Sequence, residues 1–463
     1  MERQGQLLSA HDADEQQIVA GDTRANENIA LTAVQTLFAR EHNRIVDLLP
    51  ADWSEQRRFD AARLLVIATQ QYITYEEFLP AVSVEIAPPR GYRAEVDASI
   101  SNEFATVGYR AHSMIHGEIE METSAARYDE DASAEFRADG LEVESVGEDV
   151  EIAVPLNVAF GNPELLTALG LGPVLQGLAG EAQYRNDEQI DNQLRSVMFQ
   201  LPDEAVAEPD ACLDGPTLND CFALVADIGT LDIARGRDHG MPLYTDMRAF
   251  YGLPAFVSFT DLTGESSEHF PTDDPLVHIA DPLNDPDILD FIALRDVDGI
   301  PLALGSEAAD DDAVTGVRRT TLAARLKAIH GEVTRLDAFV GMVSEPHLPG
   351  SELGELQHAM WKAQFEALRD GDRFHYLWSH PLRDLESELQ RETRRGISRV
   401  ASRNTERRIG RTTQRGTGQT AGRGTAPHED NGLGDSTGAG RLPRSLPTTP
   451  GSAKATCRAM CSW

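Results

Sequence analysis

Leu31, Val34, Phe38, Ile45 and Leu49 recur at helical spacing with polar residues between them, so residues 31–49 carry one apolar face and one wet face. The same period runs through residues 56–80, 103–122, 184–199, 242–251 and 354–369, while alternation of the β kind is scarce. These runs predict a mainly α-helical protein. The first helix starts within Gly21-Asp-Thr-Arg-Ala-Asn-Glu-Asn28, where Asp22 or Thr23 can cap it. Arg24 and Glu27, three residues apart at that start, can point into one pocket. Solvated surface charges are the plainer reading of this segment taken alone.

With 463 residues, 41% of them hydrophobic, the chain has ample material for a large core. Its net charge of −35 is spread along the sequence, a surface that repels nucleic acid and anionic membranes. No apolar stretch reaches the roughly 20 residues needed to cross a bilayer. The start, Met-Glu-Arg-Gln-Gly, lacks the apolar core of a secretory leader. Cys212 and Cys221 bracket a turn-rich loop that can close as a disulfide, and two isolated thiols fit equally well. Cys457 and Cys461 sit in a tail of different character, and no zinc-type Cys/His cluster is present. From Arg403 onward there are ten Arg or Lys and four Asp or Glu, about +6, which leaves −41 on the preceding part. That basic, Gly-, Thr-, Pro- and Ser-rich tail reads as disorder, either a linker or a frameshifted stretch. The expected division is therefore a domain over 1–402 and a low-complexity tail over 403–463.

Several words in a fixed order make the chain more specific than its composition. Gly21-Asp-Thr-Arg-Ala-Asn-Glu27 runs into a helix ending Arg40-Glu-His-Asn-Arg44. Tyr72-Ile-Thr-Tyr-Glu-Glu-Phe-Leu-Pro80, Phe104-Ala-Thr-Val-Gly-Tyr-Arg-Ala-His112, Leu231-Asp-Ile-Ala-Arg-Gly-Arg-Asp-His-Gly240, Tyr251-Gly-Leu, Glu345-Pro-His347, Leu368-Arg-Asp-Gly-Asp-Arg-Phe374 and Ile397-Ser-Arg-Val-Ala-Ser-Arg-Asn-Thr405 follow. Over roughly Leu7 to Thr405 the chain resembles the animal-type haem peroxidase superfamily, the myeloperoxidase- and peroxidasin-like group with its many bacterial members. The resemblance implies one large helical domain folded around haem b.

It also implies roles. His112 stands where the family has its proximal iron ligand, with His116 as a rival one helical turn on, and Phe104, Val107, Ala111 and Ile115 are expected to pack inward. Asp232 stands where the family has an asparagine that accepts a hydrogen bond from the ligand's other ring nitrogen; an aspartate that merely caps a helix is the alternative. Arg235 matches an arginine that contacts a haem propionate, and Arg110 is a weaker candidate. Tyr109 occupies the place of the family's other propionate arginine, so that anchor is missing. Arg24 matches the distal arginine that polarises peroxide. Glu27 matches the residue esterified to a haem methyl in some members; Asn28 replaces the methionine that forms a sulfonium link in one of them. Arg237 and Asp238 are read as an internal ion pair, and His42 as a tie between helices.

The family's distal histidine and calcium-loop residues lie far upstream of the Gly-Asp-x-Arg block, and this chain has only twenty residues there. Gln6-Leu-Leu-Ser-Ala-His11-Asp-Ala-Asp14 imitates the distal histidine word with one residue too many. We read the domain as cut short at its N-terminus, without the calcium site and with weak or no turnover for want of a distal base. The expected activity is reduction of hydrogen peroxide with oxidation of a halide or phenol, in an oxidative-stress or secreted setting, the lack of a leader leaving the cytoplasm open. No nucleic-acid partner and no membrane insertion are expected. A catalytically dead scaffold or adhesion domain is one alternative. A haem fatty-acid dioxygenase, a branch that uses a tyrosine near the proximal histidine, is another, kept open by Tyr109.

Overall fold

The computed structural model describes residues 20, 22–202, 222–278, 280 and 285–391, apart from a few side chains, and the backbone of short strand pairs before residue 19. The expectations placed on Cys212, Cys221, the tail from Arg403 and the boundary at 402/403 lie outside the described residues. His11 sits on a strand, Ser9–Asp12, paired with Glu15–Ile18, and its side chain is likewise outside them. By internal contacts the chain divides into one unit of Met1–Trp378 with Lys454–Trp463 and another of Ser379–Ala453. What is described of the second is a helix over 380–391. Everything below concerns the first.

Its first long helix, α1, spans Ile29–Leu48. Asn28 caps it, its Oδ1 accepting from the Leu31 amide at 2.9 Å. Arg24 and Glu27 therefore precede the helix rather than begin it: Thr23–Asn26 form a separate 3₁₀ turn that Asp22 caps. The expected face holds in outline, with Leu31 and Leu49 buried and Val34, Phe38 and Ile45 half-buried. Helix α2, Glu55–Tyr72, is capped by Ser54 and runs on through a π turn, Ile73–Phe78, to Leu79–Ala81. His42 ties the two helices, its Nε2 lying 3.2 Å from the Phe59 carbonyl.

Two cores follow. In one, Ile29 and Ala33 of α1 pack on a three-stranded antiparallel sheet, with Leu169 and Val174 closing the cluster. Its strands are β1 (Glu118–Ser124), β2 (Glu142–Val146) and β3 (Asp149–Pro155), in the order β1-β3-β2. Ile119 pairs with Val154 and Met121 with Ile152 across β1 and β3, and all four side chains are buried. The opposite face carries Glu118, Glu120, Glu142, Glu144 and Glu151. The fold is mainly helical with few strands, as expected, but this sheet corrects the helical reading of the end of the run 103–122, where Glu118-Ile-Glu-Met-Glu122 alternates with period two. The run 184–199 is also not a long helix, holding only a π turn, Gln193–Val197.

In the second core Val107, Tyr244, Met247, Leu336, Phe339, Met342, Leu356 and Met360 converge from short helices and from the long helix Glu355–Gly371. Arg248 is fully buried there, its guanidinium on Glu345 and Glu355, each at 2.5 Å. Glu345 also accepts from the Tyr244 hydroxyl and, at 2.7 Å, from the Leu356 amide. Burying a charge requires such matching, since one left unpaired is strongly destabilising.

The acidic sheet face makes a pH prediction. Burial, reinforced by Glu181 and Glu118, pushes the Glu120 carboxyl up to about 7 from an ordinary 4.5. The folded protein keeps that proton at pH values where an unfolded chain has released it, so this group favours folding below pH 4.5 and opposes it increasingly between 4.5 and 7. Glu120→Gln should therefore stabilise the fold by about 1 kcal/mol at pH 8, the side chain's partial exposure keeping the effect modest, and hardly at all at pH 4.5. Thermal unfolding at the two pH values checks this; an equal or larger gain in acid contradicts it.

Candidate active site

His112 owes its position to a broken helix. Phe104–Gly108 form a π turn, and the chain leaves helical geometry at Tyr109. The Gly108 carbonyl, freed by that break, accepts from the Trp361 indole N–H at 2.7 Å and from Gln357 Nε2 at 3.1 Å, both on the helix Glu355–Gly371. A Cβ on Gly108 would stand 2.9 Å from the Met360 side chain, so glycine lets the turn sit flat on that helix. A 3₁₀ turn, His112–Met114, follows. Ser113 and Met114 are buried, and Ser113 Oγ donates to Asn186 at 3.1 Å. The continuous helix expected through 116 is thus replaced by two turns and a strand. Phe104 and Val107 do pack inward, whereas Ala111 and Ile115 are half-buried.

Asp232 approaches from the helix Ile228–Asp238, which Asp227 caps through the Thr230 amide. The carboxylate has no exposure to solvent. His112 Nδ1–H donates to its Oδ2 at 2.6 Å, Arg235 Nη1 donates to Oδ1 at 2.7 Å, and Arg110 Nε lies 3.8 Å from Oδ1. Spacing of three on one helix puts Asp232 and Arg235 side by side. With Nδ1 committed, Nε2 is the ring nitrogen His112 has left for a metal. Arg110 also donates to the Ala105 carbonyl and stacks over Tyr109, 4.5 Å from its ring centroid. Burial lowers its pKa from the ordinary arginine value.

A cavity of about 330 Å³ collects these groups. Arg24, Glu27, Arg110, His112 and Arg235 all line it, with Tyr109 and His116, and Asp232 stands behind His112. Ile119, Leu156, Phe160, Leu194, Met198 and Phe199 supply much of its apolar wall. Arg24 is 62% exposed and grips Asp22 through Nε and Nη2, the shortest contact being 2.6 Å. That hydrogen bond holds the Asp22 carboxyl down at about 2.

Three partners were not foreseen. His116 has Nδ1 2.7 Å from Glu181 and stacks on Tyr184 with ring centroids 3.7 Å apart. Nothing in the sequence joins His116 to residues so distant, although a second histidine just past the first was visible. Arg237 does not pair with Asp238. Its guanidinium holds Asp337 in a two-pronged ion pair at 2.9 and 2.7 Å, because Leu243 and Asp337 meet in an antiparallel bridge that brings the two segments together.

The family model described as animal haem peroxidase matches residues 2–291 and 304–415. Thyroid peroxidase from Sus scrofa is 27% identical over 398 residues, covering 82% of this chain and 33% of that protein. Among solved structures, peroxidase A from Dictyostelium discoideum superposes with a TM-score of 0.54 at 24% identity, over 80% of this chain and 54% of that one. The fatty acid alpha-dioxygenase from Oryza sativa gives 0.51 at 16% identity, over 81% and 54%. The two structural likenesses speak to the fold alone. The chain spans a third to about half the length of these relatives.

The cavity's donor set fits a haem. Among the described residues no group of three or more His, Cys, Asp or Glu converges to hold a metal. An iron at His112 would thus bring its other ligands with it, in a flat apolar ring whose carboxylate arms need cations. The His112 imidazole, an apolar wall and arginines at the edge meet those needs.

The charge cluster itself can be tested without cofactor. Asp232→Ala leaves Arg110, Arg235 and His112 without their common acceptor and should cost about 2 kcal/mol, less than a fully buried pair because Arg235 reaches solvent. Arg235→Gln should cost under about 1 kcal/mol. Urea unfolding of both variants decides; a larger loss from Arg235→Gln contradicts the assignment of Asp232 as the hub.

Proposed function

The chain belongs to the animal haem peroxidase family, and we propose that it binds haem b through His112 and reduces hydrogen peroxide while oxidising a halide or phenolic donor. The observation that carries this reading is the 2.6 Å hydrogen bond from His112 Nδ1 to the buried Asp232, in a cavity that Arg24, Glu27, Arg110 and Arg235 also line. When bound, haem supplies the iron redox chemistry by which peroxide is cleaved and the donor oxidised.

The chain's own residues divide the remaining work. Asp232 fixes the His112 tautomer and ring orientation, keeping a proton on Nδ1, so that Nε2 would be the nitrogen to hold iron. An ionised Asp232 also makes that imidazole a stronger electron donor. Arg235, bound to Asp232 and reaching the cavity, is suited to a propionate, with Arg110 beside it. Arg24 sets a positive charge at the cavity edge, oriented by Asp22, and would stabilise negative charge on a peroxide bound there. Glu27 offers a carboxylate for an ester link to the ring.

A second reading draws on Tyr109, which lines the same cavity within reach of Arg110: oxygenation of a fatty acid. Oxygen uptake with a long-chain fatty acid and no donor would favour it over peroxide reduction.

Haem titration tests the ligand. His112→Ala should abolish the Soret band of the reconstituted protein, whereas His116→Ala and His42→Ala keep it. Added imidazole should restore the band in His112→Gly by filling the vacated position. A His112→Ala protein with an unchanged haem spectrum refutes the assignment.

A further inference from the structure

Aromatic rings in near contact run from the cavity of His112 to the surface. Tyr109, on the cavity wall, stacks on Phe104 at 5.8 Å between centroids. Phe104 meets Trp361 at 6.0 Å and Phe365 at 5.9 Å, and these two meet each other at 5.7 Å. Phe365 meets Tyr75 at 6.0 Å, and Tyr75 meets His375 at 4.8 Å. His375 touches Tyr376 at 4.7 Å, and Tyr376 meets Tyr72, which is 48% exposed, at 6.0 Å. Four of the chain's nine tyrosines stand in this one row, although aromatic residues make up only 6% of the sequence. Core packing accounts for Phe104, Trp361 and Phe365, and for Tyr75 and Tyr109 packed with them. It does not account for the surface end, where the Tyr376 hydroxyl donates to the exposed Glu76 at 2.6 Å.

We propose that this row carries single electrons from a phenolic donor docked at Tyr72 and Tyr376 to the oxidising centre beside His112, so that donors too large for the cavity are oxidised at the surface. The proposal rests on the peroxidase reading above. Electron tunnelling falls steeply with the gap between donor and acceptor, so a row of rings in near contact replaces one long jump with several short ones. The balance closes: one hydrogen peroxide takes two electrons and two protons and becomes two waters, while two phenols each lose one electron and one proton and become phenoxyl radicals.

The residues differ in what they can do along the way. Tyr376 gives up its proton with its electron, because Glu76 is placed to take the proton and solvent is next to Glu76. Tyr75 donates to the Phe365 carbonyl, an oxygen too weakly basic to take a proton, so Tyr75 serves as a bridge rather than a stop. Trp361 keeps its indole N–H proton, which it donates to the Gly108 carbonyl one residue from Tyr109, and can hold a positive charge in transit. Burial pushes the His375 imidazole down to about 4, so at neutral pH the ring between Tyr75 and Tyr376 is uncharged and does not repel a passing positive charge.

The test uses the haem-loaded full chain with peroxide and two donors, iodide and a phenol coupled to a dextran polymer that cannot enter the cavity. Tyr376→Phe, which removes one hydroxyl at the surface, should lower kcat/KM for the dextran phenol about tenfold or more and leave iodide oxidation unchanged. With peroxide alone, a spin trap should label Tyr376 or Tyr72 in peptide mass spectrometry, and Trp361→Phe should deplete that label. Undiminished dextran-phenol turnover in Tyr376→Phe, or a label indifferent to Trp361→Phe, overturns the relay while iodide oxidation still upholds the reading of the cavity. Failure to oxidise iodide at all overturns that reading and the relay with it.

Discussion

A carboxylate shut away from water must be matched by donors, and Asp232 is the point at which this chain meets that demand. Two segments distant in sequence meet in that match: Arg235 comes from the helix of Asp232 itself, and Arg110 and His112 come from the turns after Gly108. One electrostatic requirement thus fixes the register of the helix Ile228–Asp238 against the segment that carries the histidine. The same contact decides which nitrogen of His112 carries a proton. Stability and ligand chemistry depend on a single side chain.

The packing around it explains why the histidine is presented at all. A helix running straight through residue 112 would spend its backbone on itself. The break at Gly108 hands a carbonyl to Trp361 and Gln357, and the turn that follows buries Ser113 and Met114 while His112 lines the cavity. Met360, from the same long helix, lies so close to Gly108 that a larger residue there would have to displace the end of the Met360 side chain. The second core, pinned by the buried Arg248 and Glu345, holds that helix in place. Energy spent far from the cavity therefore sets geometry within it.

Much of this was legible in the sequence, for reasons that differ from element to element. Helices α1 and α2 and the helix Glu355–Gly371 carry the 3.6-residue period over many turns, and local pattern suffices there. The residues lining the cavity were readable as words, since Arg24, Glu27, Arg110, His112 and Arg235 stand in motifs with fixed internal spacing. The sheet strand Glu118–Ser124 was misread because glutamate and methionine are good helix formers, and composition outweighed a clear alternation. The partners of Arg237 and His116 were not readable at all: Asp337 and Glu181 come close only through tertiary packing. Gly108 looked like one more helix residue, and its need for Met360, Gln357 and Trp361 exists only in the folded chain.

Under the proposed function, Asp232 accepts the hydrogen bond that would orient His112 toward iron. Spectroelectrochemistry of the haem-loaded Asp232→Asn protein tests it most directly. Asparagine keeps the shape and an acceptor oxygen but removes the negative charge behind the imidazole, which destabilises ferric iron relative to ferrous. The account predicts a higher Fe(III)/Fe(II) potential in the variant than in the parent. An unchanged or lower potential would contradict it.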